Sequence, residues 1–282
     1  MNTFKKIEEL RAELLKYRLE NKKIGLVPTM GALHHGHISL VEKAKEKSDV
    51  VAVSIFVNPT QFNNPEDLEK YPRNIERDLD LLKKAGCDIV FTPEVTEMYA
   101  GSHDLKISFG TLENSLEGKF RPGHFSGVGQ IVSKLFNIFQ PHSAFFGQKD
   151  LQQFFIIKKL IDQLCFPIEL HMIPTKREDN GLAMSSRNER LTQEEKLEAG
   201  LIYQTLKLSA EAILEGRSIH HVIEQANELF AKNERLTLEY FEVVETENFT
   251  GISTVSDPKT TALCIAAEIG KVRLIDNLLL NY

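Results

Sequence analysis

At 282 residues, with 42% hydrophobic and 26% charged side chains, the chain is long enough for one large or two medium domains and is no disulfide-stapled miniprotein. Its apolar runs, such as residues 50–57 and 278–280, fall far short of the roughly 20 residues that cross a bilayer, and residues 1–18 do not read as a signal peptide, so a cytoplasmic protein is expected. A net charge of −6 argues against a general nucleic-acid binder; residues 1–173 carry 22 basic and 22 acidic side chains and residues 174–282 carry 12 and 18, so an anionic ligand is easier to place in the first part.

Taken in chain order, residues 3–20 place Phe4, Ile7, Leu10, Leu14 and Leu15 at helical spacing. A short apolar strand over 24–28 and a helix over 37–47 follow, then a strand over 49–57 whose β-branched run suits burial on both faces. Further on come a helix over 73–85, a strand over 89–91, a helix over 128–139, a strand over 143–146 and a helix over 151–164. This alternation predicts an α/β fold, a Rossmann-like doubly wound parallel sheet, over residues 1–173. The pattern changes after Ile173: polar helices over 193–215 and 219–233 precede alternating runs at 236–244, 261–269 and 272–275. Residues 174–282 are expected to form a smaller C-terminal α+β domain, read as a lid. Residues 65–71 read as a solvated loop. Cys87, Cys165 and Cys264 form no CxxC pair and suggest neither a redox centre nor a zinc ribbon.

The densest chemistry is Pro28-Thr29-Met30-Gly31-Ala32-Leu33-His34-His35-Gly36-His37, between a strand and a helix. There, unpaired backbone N–H groups and the positive end of the helix dipole favour an anion, the glycines admit phosphate closely, and His34 and His37 fall on one side of the helix. A zinc site from His34, His35 and His37 lacks HEXXH spacing and an adjacent Cys or carboxylate; the GxGxxG dinucleotide fingerprint is absent; plain helix-capping histidines are the bland alternative. Asn58 and Gln61 follow the strand over 49–57 and offer neutral groups for a small hydroxy acid, although Asn58-Pro59 alone also reads as a turn. Gly147-Gln148-Lys149-Asp150 makes a second strand-to-helix turn, with a cation for phosphate at Lys149 and an acceptor for ribose at Asp150, and Gln153 one helical turn on. Met184-Ser185-Ser186-Arg187 groups hydroxyls with a guanidinium, which suits triphosphate and could equally be a linker. Arg121 and His124 in FRPGHF are secondary candidates.

PTMGALHHGH resembles the HxGH signature of the nucleotidyltransferase superfamily. Joined in order to SIFVNPTQF (54–62), YPR (71–73), FRPGHF (120–125), FGQKD (146–150), MSSRN (184–188) and RLIDN (273–277), it is similar to the pantoate–β-alanine ligase family. The resemblance implies that pantoate carboxylate attacks the α-phosphorus of ATP, giving a pantoyl adenylate and pyrophosphate, and that β-alanine then yields pantothenate and AMP. It implies a catalytic set of His34, His37, Lys149 and Arg187 with Mg²⁺, His37 being the proton donor. It also implies an ATP site lined by Met30, Gly31, Ala32, Leu33, His34, His35, Gly36, His37, Gly147, Gln148, Lys149, Asp150, Lys176, Met184, Ser185, Ser186 and Arg187. In the same way pantoate falls to Gln61 and Gln153 and β-alanine to Gln61, with Lys176 acting through its backbone, His35 pointing outward, and the protein a homodimer through its N-terminal domain. A nucleotidyltransferase acting on a phosphorylated acceptor and a silent ATP-binding sensor are the rival readings.

Overall fold

The apolar runs after Lys23 and Asp49 form two central strands of a parallel sheet in the computed structural model, which describes residues 1–101 and 105–280. The first unit runs β1 (Asn2–Phe4), α1 (Ile7–Leu19), β2 (Ile24–Thr29), α2 (His35–Lys47), β3 (Val50–Ile55), α3 (Pro65–Glu69), α4 (Ile75–Ala85), β4 (Ile89–Phe91) and α5 (Val95–Met98). It continues with α6 (Leu116–Phe120), α7 (His124–Phe139), β5 (Ser143–Gly147), α8 (Leu151–Gln163) and β6 (Glu169–Ile173). The strands are parallel in the order β1-β4-β3-β2-β5-β6.

Burial follows the pleat. Leu26, Ala52, Ile89, Phe91, Ala144 and Phe146 enter the core under α1, α7 and α8, whereas Val27, Val51, Val53, Val90 and Phe145 enter the one under α2 and α4. Helices therefore cover both faces, as parallel strands require. Strand order reverses between β2 and β5, and in open α/β sheets the crevice beyond the carboxyl ends of such strands is where ligands bind.

The second unit comprises α9 (Gln193–Leu214), α10 (Ile219–Ala231), β7 (Leu236–Glu245), β8 (Thr250–Gly251), β9 (Thr261–Ile269) and β10 (Val272–Leu279). Its sheet is antiparallel, in the order β10-β9-β7-β8. Thr192 and Glu195 close a reciprocal cap at the start of α9. Along β9, Leu263, Ile265, Ala267 and Ile269 pack under α9 and α10, while Ala262, Cys264 and Ala266 face the opposite way and join the core of the first unit.

Several local expectations are corrected. The first helix begins at Ile7, because Asn2–Phe4 pairs with Ile89–Phe91 as an edge strand. Glu169–Ile173 is a further edge strand, beside β5. The stretch expected as a loop at 65–71 contains α3, capped by the Asn64 side chain accepting from the Glu66 N–H, with Pro65 at its first position. Strand β10 runs on to Leu279, and α7 starts at His124, drawing the FRPGHF block to a helix N-terminus. Tyr240, Val244, Phe249, Cys264 and Ala266 of the second unit share a core with the first.

Candidate active site

One cavity opens at the carboxyl ends of β2, β3 and β5, between the loops that leave them and the segments 174–176 and 184–187. Its first wall is the turn from β2 into α2. Gly31 (φ 82°) and Ala32 (φ 50°) both take left-handed conformations there. The turn is held from below by Asp78 of α4, whose carboxylate accepts from the N–H groups of Ala32 at 2.9 Å and Leu33 at 2.7 Å. A side chain at Gly31 would be strained by the positive φ and crowded as well, since a Cβ would stand 3.0 Å from Asp78 Oδ2 and 3.1 Å from Ile55 Cγ2. Asp78 is 1% exposed, and burial pushes its carboxyl above the usual range against the pull of the two N–H groups.

His34 caps α2. Its Nδ1 accepts from the Gly36 N–H at 3.1 Å, and His37 Nδ1 accepts from the His34 N–H at 3.4 Å. Each ring thus uses Nδ1 as an acceptor, which leaves Nε2 to carry the proton. The rings lie 4.1 Å apart, and burial lowers their pKa values, His34 to about 3 and His37 to about 4. Two neutral N–H donors therefore line the cavity side by side at a helix N-terminus.

The second wall rises after β3. Asn58 donates to Gln61 Oε1 at 3.1 Å and to the Gly127 carbonyl at 3.2 Å, and its Oδ1 accepts from Tyr99 Oη at 2.6 Å and from Thr60 Oγ1 at 3.1 Å. All four hydrogen-bonding positions of this buried amide are filled by protein, so Asn58 meets a substrate only by exchanging one of them. Gln61 donates to Met30 Sδ at 3.3 Å, and its backbone carbonyl is 2.9 Å from His124 Nδ1. With Nδ1–H given to that carbonyl, His124 Nε2 is the acceptor for Arg121 Nη1 at 3.3 Å. Burial first, and the Arg121 charge second, lower the His124 pKa to about 4. Arg121 belongs in turn to a buried cluster in which Glu117 accepts from Arg273 at 2.7 and 2.8 Å and from the Tyr240 hydroxyl at 3.0 Å. Gln153 of α8 and the apolar face of α7 (Val128, Ile131, Val132, Leu135) complete this side.

The third wall is cationic. Lys149 lies 3.4 Å from its neighbour Asp150, and Arg187 pairs with Asp67 of α3 at 3.1 Å. Desolvation at the cavity wall raises the pKa of the half-exposed Asp150, but Lys149 and Arg187 outweigh it and hold the carboxyl below its usual range. Ser185 Oγ caps the short helical turn 186–190 by accepting from the Arg187 N–H at 3.2 Å. Lys176 lines the cavity, with its carbonyl accepting from the Met184 N–H at 2.9 Å.

The structure thus brings together around one cavity Met30, His34, Gly36, His37, Asn58, Gln61, Gly147, Lys149, Asp150, Gln153, Lys176, Met184, Ser185, Ser186 and Arg187, with Arg121 and His124 beside them. It places Gly31, Ala32 and Leu33 beneath the wall and buried, the last two tied to Asp78, and Gln148 inward against Asn277 at 3.4 Å. His35 is exposed and faces away from the cavity. Residues that sequence reasoning did not single out are Asp78, Asp67 and Thr175. An aspartate inside the buried stripe of an amphipathic α4 is the one signal that could have exposed Asp78.

Comparison with known proteins agrees with this geometry. The family model described as pantoate-beta-alanine ligase matches residues 2–279. The chain is 46% identical to the pantothenate synthetase of Cytophaga hutchinsonii over 275 residues, covering 97% of each chain, and 45% identical to that of Aquifex aeolicus, again covering 97% of each. It superposes on the crystal structure of pantothenate synthetase from Thermus thermophilus with a TM-score of 0.93 at 38% identity, covering 99% of both chains. On the pantoate-beta-alanine ligase from Francisella tularensis, solved with beta-gamma ATP and beta-alanine, the TM-score is 0.82 at 36% identity, covering 100% of this chain and 98% of that one. Sheet topology, the histidine turn and near-complete alignment all lead to one assignment: the chain belongs to the pantoate–β-alanine ligase family.

Proposed function

We propose that this protein joins pantoate to β-alanine at the expense of ATP, through a pantoyl adenylate. A pantoate carboxylate oxygen bonds to the α-phosphorus and the bond to pyrophosphate breaks; the β-alanine amine then attacks the acyl carbon, the bond to AMP breaks, and the nitrogen loses a proton. The observation that carries this reading is the placement of two Nε2–H imidazoles at the α2 N-terminus between a cationic wall and a wall of neutral amides. The first step builds negative charge on phosphate, so it calls for fixed donors and cations more than for a nucleophilic side chain.

In this assignment His34 and His37 hold α-phosphate oxygens, Lys149 and Arg187 neutralise the leaving pyrophosphate, and Ser185 and Ser186 supply hydroxyls. The amides of Gln61 and Gln153 hold pantoate, Asn58 keeps Gln61 in place, and Gln61 also meets β-alanine. Incoming phosphate charge raises the imidazole pKa values, so His37 gains its capacity to give a proton when ATP binds. Arg187 exchanges Asp67 for phosphate oxygens. The metal arrives with the nucleotide: MgATP is the substrate, and Asp150, beside Lys149, keeps the role of acceptor for the ribose. Mg²⁺ supplies charge neutralisation on the phosphates.

The homodimer and the cytoplasmic location are parts of the same proposal; no helix of the described residues is long and apolar enough to cross a membrane. A light-scattering mass near 32.0 kDa at micromolar concentration refutes the dimer. The decisive assay measures AMP and pyrophosphate from MgATP with both acids and with each omitted. AMP requiring both acids, and about one equivalent of pyrophosphate with pantoate alone, is expected. His37→Ala is expected to lose about 10²-fold in rate or more, as for removal of a transition-state donor. Unchanged turnover in that variant removes His37 from the catalytic set.

A further inference from the structure

The two cationic arms of the cavity come from distant parts of the chain, and both are tied to one dipeptide of β10, the edge strand of the second sheet. Asn277 is 3% exposed and donates through Nδ2 to the carbonyls of Gln148 at 3.0 Å and Lys149 at 2.8 Å. Its Oδ1 accepts from the Gln148 side chain at 3.4 Å. A single amide therefore fixes both peptide units of the turn that presents Lys149. Asp276, 4% exposed, holds Arg177 through both carboxylate oxygens, at 2.5 and 3.1 Å. Arg177 donates also to the Gly181 carbonyl at 3.1 Å, lies over the Tyr203 ring at 3.7 Å, and bridges Ala183 in antiparallel pairing. It is flanked by Lys176, and Ala183 leads into Met184–Arg187.

Successive residues of a strand point to opposite faces. On β10, Leu274 and Leu278 face the α9 side, as does Leu280 just beyond the strand, and Ile275 and Leu279 face the first unit. Asp276 falls with the first group and Asn277 with the second, so one peptide step sends one side chain to each arm. We infer that Asp276 and Asn277 are positioning residues that set the spacing between the Lys149 arm and the Lys176/Met184–Arg187 arm in this arrangement of the two units. This inference rests on the assignment of Lys149 and Arg187 to ATP phosphates.

The test is a double-mutant cycle read as steady-state KM for ATP, pantoate and β-alanine, at a temperature where the circular dichroism of every variant matches the parent. Asn277→Ala is expected to raise KM for ATP about tenfold or more with the other two KM values within about threefold, and to add no more than about threefold on top of Lys149→Ala. Asp276→Asn is expected to raise KM for ATP as well, but to multiply with Lys149→Ala, since it acts on the other arm. Asn277→Ser, which keeps one hydroxyl donor at that depth, serves the same cycle if the alanine variant does not fold. A KM for ATP within twofold of the parent in the Asn277 variant, full multiplication with Lys149→Ala, or all three KM values rising together overturns the inference. An unchanged KM for ATP in Lys149→Ala alone overturns the phosphate assignment itself, which separates the two failures.

Discussion

Asp78→Asn removes one acceptor from under the histidine turn while keeping the shape of the side chain. The carboxylate accepts two backbone N–H groups, from Ala32 and Leu33, in a buried setting. Hydrogen bonds to a charged group contribute about 1.5–3 kcal/mol each, so full removal, as in Asp78→Ala, is expected to cost about 3–6 kcal/mol before the relief of burying a charge is subtracted. Asparagine retains Oδ1 for one N–H and turns an NH₂ toward the other, leaving one buried donor unsatisfied at about 1–3 kcal/mol. Burial already pushes the Asp78 carboxyl toward its neutral form, which places the expected loss in the lower half of that range. The loss also reaches the reaction, because Ala32 is held at φ 50° and the chain leads from it through Leu33 to His34. Displacing reacting groups by about 1 Å costs up to about 10²-fold, so kcat is expected to fall about 10- to 100-fold. Urea unfolding with a parallel AMP-release assay reads both quantities. Stability within about 0.5 kcal/mol of the parent, the range of ordinary surface substitutions, together with unchanged kcat would refute the buttress reasoning.

Gly127 of α7 sits against the backbone of the second wall: a Cβ there would lie 2.4 Å from the Thr60 carbonyl oxygen and 2.7 Å from Gln61 Cα. Gly127→Ala is therefore expected to push the 59–61 segment aside, costing about 1–3 kcal/mol and raising KM for pantoate about tenfold with KM for ATP within about threefold; equal KM values for pantoate in the two proteins count against it. Acid sensitivity follows from the three desolvated imidazoles, the half-buried His34 at about 3 and His37 at about 4 and the buried His124 at about 4, against 6.5 for the ordinary group. Because the unfolded chain takes up these protons first, their stabilisation is full above about pH 6.5 and is lost as the pH falls toward 4, at about 1.4 kcal/mol per pH unit for each histidine. Urea midpoints that coincide at pH 7 and pH 5 in ligand-free protein contradict that account.

The central strands were legible because β2, β3 and β5 are covered on both faces and so carry unbroken apolar runs, with glycine and polar residues at the turns that follow them. Edge strands gave no such signal. Asn2 and Thr3 of β1 are exposed and Glu169 of β6 is exposed, so pairing with a neighbour, not local pattern, makes them strands. The histidine turn, the amide wall and the cationic arms each occupy a short sequence block and could be read as blocks. Their supports could not. Asp78 reaches Leu33 across 45 positions and Asn277 reaches Gln148 across 129, and no periodicity records a hydrogen bond between an isolated polar residue and a remote backbone group. The filled valences of Asn58 were hidden for the same reason, since Tyr99 and Gly127 complete them from other elements.

The two-faced burial of β9 also sets a schedule for biosynthesis. Ala262, Cys264 and Ala266 finish a core whose other members end, apart from this sheet, with β6. A nascent chain that has released β6 must wait for roughly 100 more residues, about 5–20 s at ordinary translation rates, before that surface can be closed. Until then Phe154, Phe155 and their neighbours on α8 stay without the Phe249 ring that packs 5.5 Å from Phe155. Slow codons between β6 and β9 therefore lengthen the interval during which this apolar surface stays uncovered.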